Sequence, residues 1–204
     1  MLVKICGITT LQDALEAAHL GADALGFNFY PKSPRYIDPE KAREIIRELP
    51  PFVTVVGLFV NEDTVRVEEI ADRCGIDILQ FHGDETPEYC AGFSRRVIKA
   101  FRIKDREDLD YLRAFNVSAH LLDAYSESAY GGTGKTFNWE LAAEAKAMGR
   151  VILAGGLTPR NVADAVGTVG PYAVDVASGV ESAPGRKDPA LMAEFIRRAK
   201  GVVS

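Results

Sequence analysis

The chain opens with Val3-Lys4-Ile5-Cys6-Gly7-Ile8-Thr9, a short apolar run that ends at a glycine and a helix-capping threonine. This pattern predicts a β-strand that turns directly into a helix. Side chains of a strand alternate between its two faces, so Lys4 and Cys6 share one face while Val3 and Ile5 share the other. A strand followed at once by a helix is one βα unit, and the rest of the chain repeats that unit.

Seven further apolar runs follow, each separated from the next by a segment with helical spacing. Strands are predicted at 24–29, 53–60, 78–81, 97–101, 119–123, 151–154 and 172–176, and helices at 11–20, 39–49, 64–73, from 87, 106–113, 139–147, 161–169 and 189–200. This alternation predicts a parallel sheet covered by helices on its outside. Eight units of about 25 residues predict closure into a (β/α)8 TIM barrel. An open doubly wound sheet is the alternative, but it rarely has eight repeats and usually carries a glycine fingerprint in its first turn.

The composition is that of a soluble globular protein. Of the 204 residues, 47% are hydrophobic and 26% are charged, and no shift in composition marks a linker, so we expect a single domain over residues 1–204. A net charge of −5 provides no basic surface for nucleic acid or an anionic membrane. No apolar run approaches the ~20 residues of a membrane helix, and no signal-peptide pattern is present. Three cysteines without metal-ligand spacing suit a reducing compartment, so we expect a cytoplasmic protein.

Two predicted strand ends carry glycines that are typical of a phosphate site. Gly155 and Gly156 follow the seventh strand, and Ser178 and Gly179 follow the eighth. Active sites of such barrels lie at the C-terminal ends of the strands, and these two loops commonly hold a phosphate. Small residues let backbone N–H groups approach an oxyanion, and a short helix that begins at Ser178 would point its positive end at it. The alternative is that the glycines only form tight turns, but their position on adjacent strands favours phosphate.

Cys6 at the end of the first strand and Asp123 at the end of the sixth are candidates for proton transfer. Alternation turns both inward, so a thiol and a carboxyl group would face each other across the barrel mouth and could move a proton between two atoms of a substrate. A neighbouring ammonium favours a charged sulfur, so we expect Lys4 to promote a reactive thiolate. The alternative for Cys6 is a small buried hydrophobic side chain. The alternative for Asp123 is a helix cap or a loop salt bridge.

Other polar residues are predicted at the same mouth. Arg35 lies in a loop with two prolines, and His82 ends the fourth strand, with Gln80 beneath it on the same face. His19 and His120 do not converge with His82, so His82 is expected to form hydrogen bonds and not a metal site.

Two lysines have possible supporting roles. Lys4 inside a barrel needs a counter-charge, for which inward-facing Asp175 on the adjacent eighth strand is the predicted partner, and a purely structural pair is an equally open reading. Lys135 lies in segment 131–136, which ends like a Walker A loop. That segment lacks the required first glycine and begins well after its strand, so it indicates a lid over the mouth, with Lys135 near the ligand, rather than a nucleotide site.

Several segments together resemble one known family. They are KICGIT at 4–9, GADALGFNFYPKSPRYI at 21–37, FVNE at 59–62, QFHG at 80–83, LLDAY at 121–125, GGTGKTFNW at 131–139, LAGGLTPRNV at 153–162, DVASGVE at 175–181 and PGRKD at 184–188. In this order and from end to end, the chain resembles the phosphoribosylanthranilate isomerases of tryptophan biosynthesis. Two positions depart from the pattern: Asn28, where an aliphatic residue is expected, and Phe81, where leucine is common.

The resemblance implies an Amadori rearrangement of N-(5′-phosphoribosyl)anthranilate to 1-(2-carboxyphenylamino)-1-deoxyribulose 5-phosphate. It implies that Asp123, as general acid, protonates the ribose ring oxygen and that Cys6, as general base, removes the C2′ proton. No cofactor or metal would be needed, because the imine of the substrate is itself the electron sink. The implied binding groups are Arg35 for the anthranilate carboxylate, Gly155, Gly156, Ser178 and Gly179 for the phosphate, and Gln80 and His82 for the ribose or the carboxylate.

Two alternatives keep parts of this interpretation. The first is another phosphosugar isomerase of the same barrel type, including one that also accepts the histidine-pathway analogue, although that barrel usually has aspartate where this chain has Cys6. The second is a non-catalytic phosphate-binding module, which the acid–base pair disfavours. In each case the expected partner is a phosphorylated small molecule. The chain itself is expected to be a monomer or a homodimer.

Overall fold

Eight parallel strands close into a barrel in the structure, a computed structural model that describes residues 1–103, 105–123 and 139–201. Each strand is hydrogen-bonded to the next, and the last is bonded to the first. The predicted TIM-barrel fold is therefore confirmed. The strands are β1 Leu2–Cys6, β2 Ala24–Asn28, β3 Thr54–Phe59, β4 Ile78–Phe81, β5 Arg96–Arg102, β6 Ala119–Asp123, β7 Val151–Ala154 and β8 Ala173–Val176.

The outer helices begin at polar caps that the sequence supplies. Thr10 caps the first helix by accepting a hydrogen bond from the backbone N–H of Asp13, and Asp38, Asp63, Thr86, Asp105 and Asp188 cap five others in the same way. No helix in the described part of the chain is long and apolar enough to cross a membrane. The helices are α1 Leu11–His19, α2 Pro39–Arg47, α3 Thr64–Cys74, α4 Pro87–Ala91, α5 Arg106–Leu112, α6 Trp139–Ala145, α7 Val162–Val169 and α8 Pro189–Lys200.

The region after β8 holds more structure than the sequence predicted. The expected short helix is present as a 3-10 turn at Ser178–Val180. It leads into a two-stranded antiparallel hairpin, β9 Glu181–Ala183 and β10 Arg186–Lys187, which the sequence analysis missed. These strands are too short and too exposed to show an alternating apolar pattern. The hairpin folds over the junction between β8 and β1, where it carries two charged side chains toward the barrel mouth.

The barrel interior divides into an apolar side and a polar side. Three buried inward positions, one each on β1, β8 and β4, carry polar side chains: Lys4, Asp175 and Gln80. Buried polar groups in a packed barrel need partners, and here they gather beneath the C-terminal mouth. The apolar side is formed by Ile98, Ala100, Ala119, Leu121, Ile152, Ala154 and Ala173 from β5 to β8.

Candidate active site

A cavity of about 450 Å³ opens at the C-terminal ends of the strands. Its walls come from residues at or near the ends of every strand except β5 and from the loop after β2. Lys4 lies one inward position below Cys6, inside the barrel, and Lys135 lies outside the described residues. The other predicted site residues all line this cavity: Cys6, Arg35, Gln80, His82, Asp123, Gly155, Gly156, Asp175, Ser178 and Gly179.

The Cys6 thiol sits in a buried charged cluster on the β1 and β8 side. The ammonium group of Lys4 donates a hydrogen bond to Asp175 Oδ1 over 2.9 Å. Burial alone would lower the pKa of Lys4, but attraction by Asp175 and Cys6 outweighs it, and that pKa is raised. Lys4 is therefore charged next to the sulfur, with its predicted counter-charge in place.

One expectation for Cys6 is wrong in direction. Lys4 does draw the pKa of the thiol down, but burial is the larger effect and Asp175 adds to it, so the pKa is raised above its ordinary value of 9.0. The loss of hydration on burial destabilises the charged form of the sulfur more than the nearby ammonium group stabilises it. The resting residue is a protonated thiol at neutral pH and not the thiolate that the neighbouring lysine predicted.

Gly26 on β2 creates the space that Lys4 and Cys6 occupy. Its Cα pairs with Cys6 in the sheet register. A Cβ atom built on Gly26 would lie 2.8 Å from the Cys6 sulfur and 3.1 Å from the Lys4 amine. Both distances are shorter than ordinary van der Waals contacts. The inward-facing amine and thiol therefore fit because β2 carries no side chain beside them.

Asp123 belongs to a chain of side chains on the opposite wall. Its Oδ2 lies 3.4 Å from Nε2 of His82, and the Gln80 amide nitrogen lies 3.2 Å from Nδ1 of the same ring. Gln80 is fully buried, whereas the side chains of His82 and Asp123 are 26% and 19% exposed. The exposed ends of this chain of contacts thus face the cavity, and its buried end is anchored in β4.

The strand ends of β7 and β8 combine tight turns with open space. Gly155 and Gly156 have φ of 78° and 64°, a left-handed conformation that favours glycine, and no atom would contact a Cβ on Gly156 within 4 Å. At Gly179 a Cβ would overlap the carbonyl oxygen of Leu157, so the two loops pack backbone against backbone. Gly155 and Gly156 therefore do form tight turns. The open side of Gly156 also leaves its backbone accessible to a ligand.

Arg35 is held by a partner that the sequence analysis did not identify. Its Nε and Nη2 donate two parallel hydrogen bonds to Glu181, over 2.8 and 2.7 Å. These bonds raise the pKa of Arg35. Burial would raise the pKa of Glu181, but its bonds to Arg35 and Lys187 prevail and lower it. Arg35 therefore lies at the cavity with its guanidinium fixed by the hairpin β9–β10.

Lys187 on β10 joins this arrangement to the end of β1 and to the loop after β8. Its buried amine donates to Glu181 Oε1 over 2.8 Å, to the carbonyl of Cys6 over 2.6 Å and to the carbonyl of Ala177 over 3.1 Å. All three of its N–H donors are thus used. Burial lowers its pKa, and Glu181 opposes that change. One side chain therefore joins the hairpin, the end of β1 and the loop after β8.

The comparison with protein families now adds an independent finding. The family model described as "N-(5'phosphoribosyl)anthranilate (PRA) isomerase" matches residues 3–198. The chain belongs to this isomerase family. The family resemblance of the sequence motifs is confirmed.

Relatives in the isomerase family match along their whole length. An N-(5'-phosphoribosyl)anthranilate isomerase of Geobacter sulfurreducens is 64% identical over 199 residues, which cover 98% of this chain and 98% of that protein. One of Geotalea uraniireducens is 62% identical over 200 residues, with the same coverage. No large insertion or missing segment therefore separates the chain from these relatives.

Solved structures of the isomerase family share the barrel. The enzyme of Thermotoga maritima has a TM-score of 0.90 at 47% identity, covering 99% of this chain and 100% of that one. A second structure, with a TM-score of 0.88 at 44% identity and the same coverage, is described as a complex with reduced 1-(o-carboxyphenylamino)-1-deoxyribulose 5-phosphate. A third, at 43% identity, with a TM-score of 0.87 and the same coverage, is described as monomers generated from a dimeric Thermotoga maritima enzyme.

Three residues at or next to the cavity of this isomerase-family chain escaped the sequence analysis. Glu181 and Lys187 stand in the quoted motifs DVASGVE and PGRKD, and their charge in a glycine-rich strand end was the available signal. Asn28, noted only as a departure, accepts a hydrogen bond from the Tyr30 backbone and donates one to Ser33. Asn28 lines the cavity and shapes the loop that carries Arg35.

Proposed function

We propose that the chain isomerises N-(5′-phosphoribosyl)anthranilate to 1-(2-carboxyphenylamino)-1-deoxyribulose 5-phosphate, with Cys6 as general base and Asp123 as general acid. The observation that carries this proposal is the placement of a thiol and a carboxyl group on facing walls of one cavity. The glycine-rich ends of β7 and β8 form a third wall. A phosphorylated ribose between the two groups would reach that wall, and the family membership supports this substrate.

The first step opens the ribose ring. Asp123 in its acid form gives a proton to the ring oxygen, and the bond between that oxygen and C1′ breaks. The lone pair of the anthranilate nitrogen forms a C1′=N double bond, which leaves a protonated Schiff base and an Asp123 carboxylate. General acid catalysis of this kind contributes about 10²- to 10⁴-fold to a rate.

The second step moves the double bond. Cys6 as a thiolate removes the proton from C2′, and the electron pair forms a C1′=C2′ bond while the C1′=N bond returns to a single bond. The cationic Schiff base favours the charged sulfur, which offsets the raised pKa of the buried thiol. The resulting enolamine becomes the ketone when a proton arrives at C1′ and another leaves the oxygen on C2′. The Cys6 thiol releases its own proton to solvent before this step, and with that proton counted the protons and electrons balance without a redox partner.

Substrate binding is assigned to the remaining walls of the cavity. Arg35 would hold the anthranilate carboxylate with the N–H groups that Glu181 does not use, as suits its planar fork. Backbone groups near Gly156 and Gly179, with Ser178, would hold the phosphate. We place the chain in the cytoplasm, since Cys6, Cys74 and Cys90 are free thiols. A monomer or a homodimer stays a prediction.

Turnover of N-(5′-phosphoribosyl)anthranilate, followed by the loss of its fluorescence, tests the proposed function. We expect Cys6→Ala and Asp123→Asn each to lower kcat by about 10²- to 10⁴-fold. Cys90→Ala is the matched control, because Cys90 is an equally buried cysteine on α4 outside the cavity, and it should retain the unmodified rate. If Cys6→Ala turned over the substrate at the wild-type rate, the Cys6 thiol would only fill space in the core and would not be the base. A preference for the histidine-pathway analogue would reassign the substrate.

A further inference from the structure

The side chains of Gln80, His82 and Asp123 form an ordered sequence of contacts from the barrel core to the cavity. Gln80 and His82 are two residues apart, so they point to the same side of β4, and the amide lies directly beneath the ring. The buried amide nitrogen of Gln80 faces Nδ1 at 3.2 Å. Across the mouth, Nε2 faces Asp123 Oδ2 at 3.4 Å.

The donor and acceptor roles of these contacts depend on the ring tautomer, and the amide nitrogen of Gln80 favours one tautomer. The Gln80 amide nitrogen can only donate, so Nδ1 must accept and carries no hydrogen. A charged imidazolium would bring two N–H groups face to face at Nδ1. A neutral ring with its hydrogen on Nε2 suits both contacts, because the carboxyl oxygen lies 3.4 Å from Nε2, a distance that must shorten slightly for a hydrogen bond.

We propose that His82 is a positioning residue for Asp123, and that Gln80 selects the tautomer that allows it to act. This inference deepens the proposed function and rests on it. His82 faces Oδ2 as a donor and so orients the carboxyl group that gives its proton to the substrate. After transfer, the same Nε2–H bond stabilises the new carboxylate, which accepts a hydrogen bond more strongly than the acid does. His82 thus acts on the reaction through Asp123.

Two substitutions at residue 82 separate this role from simple structural support. The amide nitrogen of glutamine reaches the position of Nε2, whereas that of asparagine reaches only the position of Nδ1. We expect His82→Asn to lower kcat about 10- to 100-fold, the range found for partners that orient a reactive group, with KM nearly unchanged. His82→Gln should keep most of the activity.

A spectroscopic test reads the tautomer directly in the substrate-free protein. The 15N shifts of the His82 ring should report hydrogen on Nε2 and none on Nδ1, with assignment by comparison to His82→Gln. Gln80→Leu, which keeps the volume but removes the donor, should shift the ring toward the other tautomer and lower kcat. His19→Gln, on the exposed face of α1, is the matched control and should change neither quantity.

The opposite outcomes would overturn the inference. These are hydrogen on Nδ1 in the unmodified protein, equal kcat for the asparagine and glutamine variants, or an effect confined to KM, which would make His82 a substrate-binding residue. Failure of the unmodified chain to turn over N-(5′-phosphoribosyl)anthranilate would instead refute the proposed function. The tautomer is measured without substrate, so the two failures are distinguishable.

Discussion

The Cys6 thiol shows, at the scale of single residues, how burial and charge compete for one proton. Burial raises its pKa, Lys4 and Lys187 lower it, and burial prevails. A sequence reveals the neighbouring cation but not the depth of the sulfur, which depends on how the whole barrel closes. For this reason the inward direction of Cys6 and Asp123 followed from alternation alone, whereas the protonation state of the thiol did not.

Alkylation of Cys6 by iodoacetamide should therefore keep accelerating as the pH rises from 7 through 9. Only the thiolate reacts, and with a pKa raised above 9.0 it is a minor species throughout this range. The rate at Cys6 is measured by peptide mass spectrometry, and a model thiol peptide serves as the reference. A plateau reached below pH 8 would mean that Lys4 outweighs burial after all.

His120 should make the folded state less stable as the pH falls. Its ring is buried on the outside of β6 against Phe101, and burial lowers its pKa below the ordinary 6.5, although the carbonyls of Phe115 and Leu112 oppose the change. Below pH 6.5 the unfolded chain therefore binds a proton at His120, whereas His120 in the folded chain stays neutral until a lower pH. Stability is full above pH 6.5 and is lost, by up to about 1.4 kcal/mol per pH unit, between 6.5 and the lower folded pKa.

Urea unfolding at a series of pH values measures this effect. The difference in free energy of unfolding between His120→Asn and the unmodified chain should narrow as the pH falls below 6.5, because only the unmodified chain carries the penalty. The exposed His19→Asn should show no such trend. A constant difference across the series would mean that His120 titrates normally in the folded state.

At the scale of elements, the hairpin β9–β10 holds the guanidinium of Arg35 in place at the cavity. We expect Arg35→Lys to raise KM for N-(5′-phosphoribosyl)anthranilate about tenfold with a smaller change in kcat, because an ammonium cannot bond both Glu181 oxygens and still present a flat donor pair to a carboxylate. Arg113→Lys, on the exposed end of α5, is the control. An unchanged KM would remove Arg35 from the binding site.

The hairpin also marks the limit of prediction from the sequence. Eight strands and eight helices were predicted with boundary errors of a few residues, since long apolar runs and capping residues are local signals. The contact of Arg35 with Glu181 spans 146 positions of the chain. No local pattern encodes such a contact, so the predicted site contained the arginine without the carboxylate that orients it.

For the whole molecule, the pair of Lys4 and Asp175 helps to close the barrel, because it joins the first strand to the last. We expect Lys4→Met to lower the free energy of unfolding by about 3–5 kcal/mol, since it leaves a buried carboxylate without its partner. Urea denaturation measures the loss. The exposed Glu194–Arg198 pair on α8 is the comparison, and its removal should cost only about 0.3–0.5 kcal/mol.

A second variant shows whether the pair or its polarity matters. Lys4→Met combined with Asp175→Leu should recover most of the lost stability, because apolar side chains of similar volume often replace a buried ion pair without penalty. If the double variant were as unstable as the single one, the barrel would need the charges themselves. Either result is read from folding and does not depend on turnover.

The absence of a side chain at Gly26 restricts which substitutions β1 and β2 can accept during evolution. A methyl group there would press on both the sulfur of Cys6 and the amine of Lys4. Neighbouring strands must therefore change together: a lineage that enlarges residue 26 must first shorten residue 4 or 6. In a library that randomises these three sites, functional survivors with alanine or serine at 26 should carry compensating smaller partners on β1.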